Sequence, residues 1–552
     1  MLTVGTLPER VGEPARAGAR VGWRRVRILI FHGYLLGGTG SNVYNARLAE
    51  ALVGLGHEVH LLSQERHPEE HRFVDAIGDW DCGTLRVRPA PGRDGGEIAR
   101  CTVYRPDIGG LLPVYVADRY EGIQARTFAE TTEAEIARYL DANVQAVREL
   151  SELVRPELAL ANHLVMGPVI LARGLAGRVP YAVKIHGSAL EYTVKRDPER
   201  FLAPAREGLA AARAILVGSR HTAESLWQAL GKEQLVQRTR LGPPGVDVAR
   251  FAPRERQAAA RAPHALAAAL QASAAQQRAE PQASAFARDV LETARALERL
   301  HPQDGPVVAF VGKLIVSKGI DLLIAAWPLV LEQAPRAQLA VIGFGAYREG
   351  VERLIAALAA GDLGLAREIA RAGRSLEDPM LPQAPLRHLL AFLDSLEAQE
   401  RARYLASARQ LRERVVLTGR LEHEELAELL PACEALVVPS TFPEAFGMVA
   451  AEAAACGVLP VSAAHSGLAE VTEVLAREVP EQAARLLSFP VDDGAVRALA
   501  ARLCGWLGAD PEVRSSTRAG LVATVRERWS WQGVARGVIA GARGELAKLS
   551  GP

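Results

Sequence analysis

Two glutamates eight positions apart, Glu444 and Glu452, stand in the run Pro439-Ser-Thr-Phe-Pro-Glu-Ala-Phe-Gly-Met-Val-Ala-Ala-Glu452. The first falls in a loop after the apolar strand Ala435-Leu-Val-Val438. The second lies one to two turns into a helix that begins near Gly447. The free N–H groups and dipole of a helix N-terminus favour negative charge. One short segment thus offers a carboxylate at a cleft mouth, bare amides for a phosphate, and a second carboxylate able to grip vicinal hydroxyls. A nucleotide sugar needs all three. Two surface acids near a helix start are the plain alternative, since Asp and Glu are common there. The intervening Phe446-Gly447 and the small residues Ala450, Ala451 and Ala453 to Ala455, which let the helix lie close to its sheet, favour function.

A second group lies in Gly312-Lys-Leu-Ile-Val-Ser-Lys-Gly319, between an apolar strand and a helix. Lys313 and Lys318 flank a tight loop. Cations are disfavoured near a positive helix end unless an anion is present, and two ammonium groups suit a departing pyrophosphate. The glycine pair Gly37-Gly38 follows the first strand and permits close backbone approach to a phosphate. Alone it is a weak signal: a structural turn explains it nearly as well, and a dinucleotide site competes. The loop is not G-x-G-x-x-G, however, and the next strand ends in Ser63-Gln64-Glu65 without a clear acidic ribose clamp. His163 and His186 each fall at the carboxyl end of an expected parallel strand, where open α/β sheets place ligands.

Those strands are Val26-Arg-Ile-Leu-Ile-Phe31, His57 to Leu62, Leu158 to His163, Tyr181 to Ile185 and Ala214 to Val217, with helical patterns between them. Apolar runs alternating with helices describe a doubly wound parallel sheet. A second α/β pattern starts at Val307-Val-Ala-Phe-Val311 and continues through Gln338 to Ile342, Val415 to Leu417 and Ala435 to Val438. The expected division is a disordered tail over 1–23, a first Rossmann-like acceptor domain over 24–252, and a helical linker or insertion over 253–304, which Pro281 divides. A second Rossmann-like donor domain over 305–510 follows, interrupted by a helical insertion at 346–414, and a terminal helical segment fills 511–552. In the insertion, Val351, Leu354, Ile355 and Leu358 have amphipathic spacing, as do Leu386, Leu389, Leu390 and Leu393.

Composition excludes several classes. Lys+Arg total 65 against Asp+Glu 64, which gives no electrostatic footprint for nucleic acid. The chain is 49% hydrophobic and 23% charged, close to an ordinary soluble enzyme. No apolar stretch approaches membrane-spanning length. Arg10, Arg16, Arg20, Arg24 and Arg25 without an apolar core do not make a secretory signal, and leave at most a peripheral membrane contact. Five scattered cysteines (Cys82, Cys101, Cys433, Cys456, Cys504) with no C-x-x-C pair indicate free thiols in a reducing, cytoplasmic setting.

Together these residues resemble the retaining nucleotide-sugar glycosyltransferases of family 4, which have the GT-B fold: two Rossmann-like domains facing across a cleft. The hallmark of that family is a Glu–seven residues–Glu motif, matched by Glu444 and Glu452. Gly-His-Glu-Val59, Pro-Pro-Gly-Val-Asp247 with Phe251, and Gly-Val-Leu-Pro-Val461 with Ser-Gly-Leu-Ala-Glu470 match as well. The resemblance implies that Glu452 holds the ribose, that Glu444 contacts the donor sugar, and that amides of Phe446, Gly447 and Met448 bind sugar and phosphate. It implies that Lys313 and Lys318 neutralise the pyrophosphate and that backbone near Arg420 and Leu421 meets the base. His163 would lie beside the transferred sugar, with Gly38 near phosphate and acceptor, and Gly37 and His186 on the acceptor side. Two positions depart from the family pattern: Lys313 stands where Arg is usual, losing bidentate geometry, and Pro244 replaces the usual Asn.

The implied reaction moves a sugar from a UDP- or GDP-sugar to a sugar, polyol or lipid-linked acceptor hydroxyl with retention, and without a metal. A sugar-nucleotide epimerase and a non-catalytic sugar-nucleotide-binding protein are the rivals. Asp79-Trp-Asp81 has the D-x-D form of some metal sites, but is expected in a charged loop far in sequence from the donor motifs. The 346–414 insertion leaves a strand on the ligand side of its sheet, so part of it is expected to roof the cleft or shape acceptor choice; a remote packing ornament or an oligomer contact explains it about as well.

Overall fold

The computed structural model describes residues 24–552 except 39, 82, 94–98, 116–123, 277–287, 379 and 381–382. The expected tail over 1–23, Cys82 and Pro281 lie outside the described residues. Among those described, two main parallel sheets form two lobes.

The first sheet has nine strands. From one edge they run Thr239–Leu241, Ala214–Val217, Tyr181–Lys184, Leu158–Asn162, Arg27–Phe31, Glu58–Leu62, Cys101–Arg105, Ala76–Asp81 and Thr84–Pro89. All neighbours pair in parallel except the last two, which form an antiparallel hairpin. The central strands are buried on both faces, as helix-covered parallel strands must be. The second sheet has six parallel strands, ordered Val415–Gly419, Gln338–Ile342, Val307–Val311, Ala435–Val438, Leu459–Ala463 and Ser488–Phe489.

Several strands carry little signal in the sequence. Thr84–Pro89 is largely exposed, so it lacks an apolar run. Asp79 and Asp81 lie on the hairpin strand Ala76–Asp81 rather than in a loop, and Arg105 holds Asp79 with two hydrogen bonds of 2.6 and 2.9 Å. Across the hairpin, Asp79 faces Arg86, so the charges balance along an edge.

The helical regions sit differently from a simple linker and tail. Helices Arg256–Gln276 and Val290–Glu298 do not act as a spacer. Ala267, Leu270, Ala294 and Leu297 are buried in the hydrophobic core of the second lobe. The terminal segment divides: Pro511–Arg528 packs on the second lobe, and Trp531–Arg543 crosses to the first sheet, burying Trp531, Ala535, Val538 and Ile539 there. The crossing is tied where the Val246 amide bonds the Trp529 carbonyl at 2.7 Å. No helix among the described residues is long and apolar enough to cross a membrane.

Candidate active site

The two charged motifs, 126 residues apart between Lys318 and Glu444, are brought together by strand order. Val307–Val311 pairs directly with Ala435–Val438, Val308 opposite Ala435 and Phe310 opposite Val437. The loops leaving the same ends of both strands must therefore abut. Thr441 N donates to Ser317 O at 2.9 Å. Gly319 adopts φ +67°, and a side chain there would start 2.0 Å from Pro439 O, so only glycine fits this crossing. The Lys318 ammonium pairs with Glu444 Oε1, which also accepts from Ser440 Oγ at 2.7 Å. Ser466 Oγ accepts from Glu444 N at 2.9 Å, fixing the loop from a third side.

Helix Met448–Ala455 begins at Gly447 (φ +124°) without a side-chain cap, so its first amides have no side-chain acceptor. Phe446, Gly447 and Met448 line a cleft of about 650 Å³ together with Lys313, Lys318 and Glu444. Glu452 lies on the same helix and is buried, and its Oε1 is bonded to His423 Nε2 at 2.8 Å. His423 opens the helix His423–Leu429, just after Arg420 and Leu421, and packs against Phe251 with ring centroids 4.7 Å apart. Arg420 stacks over Phe344 and bonds Glu422, while Leu421 packs on the core of the lobe. Glu452, Arg420 and Leu421 are not among the residues lining the 650 Å³ cleft.

The facing wall comes from the first lobe. Asn162 pairs with Lys184 across adjacent strands, and His163 N donates to Lys184 O at 2.8 Å. This register sets His163 and His186 side by side at the strand ends, ring centroids 4.8 Å apart. His163 is buried in the left-handed region (φ +67°), and neither ring nitrogen has a hydrogen-bond partner. Tyr115, Tyr34 and His32 surround it at 4.5, 5.3 and 5.9 Å. Burial, and then the neighbouring His32, hold its pKa well below the usual imidazole range, so the ring is neutral. His186 Nε2 is bonded to Asn162 Oδ1 at 2.8 Å. Gly38 (φ +90°) lines the cleft; Gly37 does not, its carbonyl accepting from Asn42 Nδ2 at 2.7 Å.

Lys184 was not legible as a site residue. It is buried, lines the cleft, donates to Gly242 O at 2.6 Å and sits 5.4 Å from the Tyr44 ring. Burial lowers its pKa to about 7. The available signal was a lysine inside an otherwise apolar parallel strand, two residues before His186. Ser440 and Ser466 stood inside runs already singled out but without a role of their own, and Tyr115 had no signal, since their contacts depend on which loops meet.

The expected roof is not found among the described residues of the insertion. Among the described lining residues none comes from 346–414. Its helices Arg348–Ala360, Arg387–Asp394 and Ala398–Ala408 pack on Ile320–Gln333 and Ala495–Leu507 instead. Their buried faces (Val351, Leu354, Leu358, Leu389, Leu393) had to be covered, and those helices offered the surface.

The site thus sets two ammonium groups, open helix amides and the Glu444 carboxylate on one lobe, with Glu452 buried behind them, against neutral imidazoles and tyrosines on the other. Residues 296–362 and 387–476 match the family described as "Glycosyl transferases group 1", and residues 39–241 match "Glycosyl transferase 4-like domain". A D-inositol 3-phosphate glycosyltransferase of Segniliparus rotundus is 29% identical over 255 residues, 46% of this chain and 43% of that protein. A GDP-mannose-dependent alpha-(1-6)-phosphatidylinositol monomannoside mannosyltransferase of Mycolicibacterium smegmatis is 38% identical over 84 residues, 15% of this chain and 21% of that protein. The chain spans less than half the length of these curated relatives. Among solved structures, a sucrose-phosphate synthase from Thermosynechococcus elongatus superposes with a TM-score of 0.54 at 20% identity, over 95% of this chain and 100% of that one. The catalytic domain of starch synthase IV from Arabidopsis thaliana reaches 0.53 at 14% identity, over 95% of this chain and 100% of that one. The chain belongs to the group 1 glycosyltransferases of family 4 and has the GT-B fold.

Proposed function

We propose that this protein transfers a hexosyl group from a nucleoside diphosphate to an acceptor hydroxyl with retention of anomeric configuration. The supporting observation is the Lys318–Glu444 pair, set in the cleft beside Lys313 and the uncapped helix start, with His163 opposite. The ammonium groups and amides answer the charge that grows on the diphosphate as the C1–O bond breaks. Glu444 is committed to Lys318 and Ser440, which suits holding sugar hydroxyls in place rather than attacking the anomeric carbon. The acceptor oxygen attacks on the face the diphosphate leaves, and its proton passes to a leaving phosphate oxygen. The protein's contribution is charge and position. Glu452 holds the ribose hydroxyls and the Arg420–Leu421 backbone meets the base.

The donor is a GDP- or UDP-sugar and the acceptor a polyol or lipid-linked hydroxyl. The names of the relatives support this choice: one specifies GDP-mannose and phosphatidylinositol monomannoside, another D-inositol 3-phosphate. A thermal-shift screen of UDP- and GDP-sugars, followed by transfer assays with inositol phosphates and glycolipids, tests the reading. Stabilisation by one donor class and donor-dependent product are expected. A new nucleotide sugar formed from donor alone would instead establish an epimerase.

A further inference from the structure

The family match breaks between residues 362 and 387. From the segment inside that break, Glu377 reaches the machinery. Glu377 Oε1 accepts a hydrogen bond from Val316 N at 2.5 Å. Val316 opens the short turn Val316–Lys318 that carries the Lys318 ammonium. The Glu377 side chain is only 10% exposed, so this is not a fluctuating surface pair, and its other oxygen lies 3.6 Å from Arg374 Nε. The segment is braced to present it: Arg374 N bonds Ala384 O at 3.2 Å, and Leu386 N bonds Ala370 O at 2.8 Å. Gly373 (φ +51°) permits the crossing, because a side chain there would meet Ala384 O at 1.9 Å.

The lysine loop is otherwise tied on either side of this amide. Leu314 N bonds Phe344 O at 2.7 Å, and Ser317 O accepts from Thr441 N at 2.9 Å. Between those ties, Glu377 supplies the acceptor for the amide that starts the Lys318 turn. We infer that Glu377 is a positioning residue for the diphosphate-binding loop, so that a segment outside the family's common sequence sets how well this chain holds its donor. The inference rests on the function proposed above for Lys318. Glu377 touches no substrate; it acts through the loop backbone.

The test compares wild type with E377A and E377Q in the full chain. Amide hydrogen exchange of the peptide covering 312–319 reads the loop directly. Exchange should quicken at least fivefold in E377A and stay near wild type in E377Q, whose amide oxygen still accepts. UDP and GDP affinities, measured by calorimetry, should fall about fivefold to tenfold in E377A for the nucleotide that wild type binds. In turnover the donor KM should rise while kcat holds, because the lost contact serves ground state and transition state alike. Unchanged loop exchange in E377A, or equal acceleration in E377A and E377Q, overturns the inference. If wild type binds neither nucleotide while E377A still loosens the loop, the proposed function falls and the positioning role stands.

Discussion

Lys318 and Glu444 form an ion pair between loops that leave adjacent parallel strands, and each side chain keeps roughly a quarter to a third of its surface open to the cleft. A pair this exposed contributes about 0–1 kcal/mol to folding. In the function proposed above, its worth lies in fixing an ammonium and a carboxylate around one ligand. K318A and E444A should therefore each lower kcat/KM by about 10- to 100-fold, since loss of a charge-assisted contact costs about 1.5–3 kcal/mol, with melting temperature shifting by a few degrees at most. The double variant should be no more active than the worse single one. Wild-type turnover in the double variant would refute the assignment.

Glu452 differs because it is buried and bonded to His423. In the proposed ribose role, its removal takes away a carboxylate acceptor and also strips His423 of its partner. E452A should weaken UDP or GDP binding about 10- to 100-fold, from about 1.5–3 kcal/mol for hydrogen bonds to a charged group. Calorimetry should show a smaller loss for inorganic pyrophosphate, which has no ribose. An equal loss for nucleotide and pyrophosphate would move Glu452 out of the ribose role.

The meeting of the two charged loops in the second lobe was legible because their distinctive residues are concentrated in two short runs. Glycine, lysine and glutamate at fixed spacing after apolar strands announce a loop site, and parallel pairing of Val307–Val311 with Ala435–Val438 joins them. The first-lobe wall was only half legible. His163 and His186 stood at strand ends, but Tyr34 and Tyr115 meet them only through tertiary packing. The insertion was read as helical, with a roof over the cleft or a say in acceptor choice set against a remote packing role; its described helices pack away from the cleft lining. Its amphipathic spacing shows that a face must be buried, but spacing alone does not say against what.

Gly319 tests the loop crossing itself. Its φ of +67° disfavours other residues, and a Cβ would collide with the Pro439 carbonyl. G319A should destabilise the protein by about 1–3 kcal/mol through strain and separate the lysine and glutamate loops. Chemical denaturation should show the loss, and donor affinity should fall with it. A G319A protein with wild-type stability and donor binding would show that the two loops need not cross this closely.

Lys184 gives the first lobe a pH signature. Burial holds its pKa near 7 in the folded chain, against an ordinary value of 10.5. Between those values the unfolded chain carries a proton that the folded chain does not. Stability therefore rises with pH across that window, by up to about 1.4 kcal/mol per pH unit. Burial raises the pKa of Cys101, Cys433 and Cys456, which opposes this trend as ordinary thiols begin to ionise. The comparison is thus best made between pH 7 and 8.5, as the difference between wild type and K184M. Urea denaturation should show wild-type stability climbing relative to K184M as pH rises, with the variant the more stable at pH 7, because it carries no buried amine to neutralise. Parallel curves for the two proteins would mean that the Lys184 ammonium stays charged in the fold, with Gly242 O and the Tyr44 face enough to hold it.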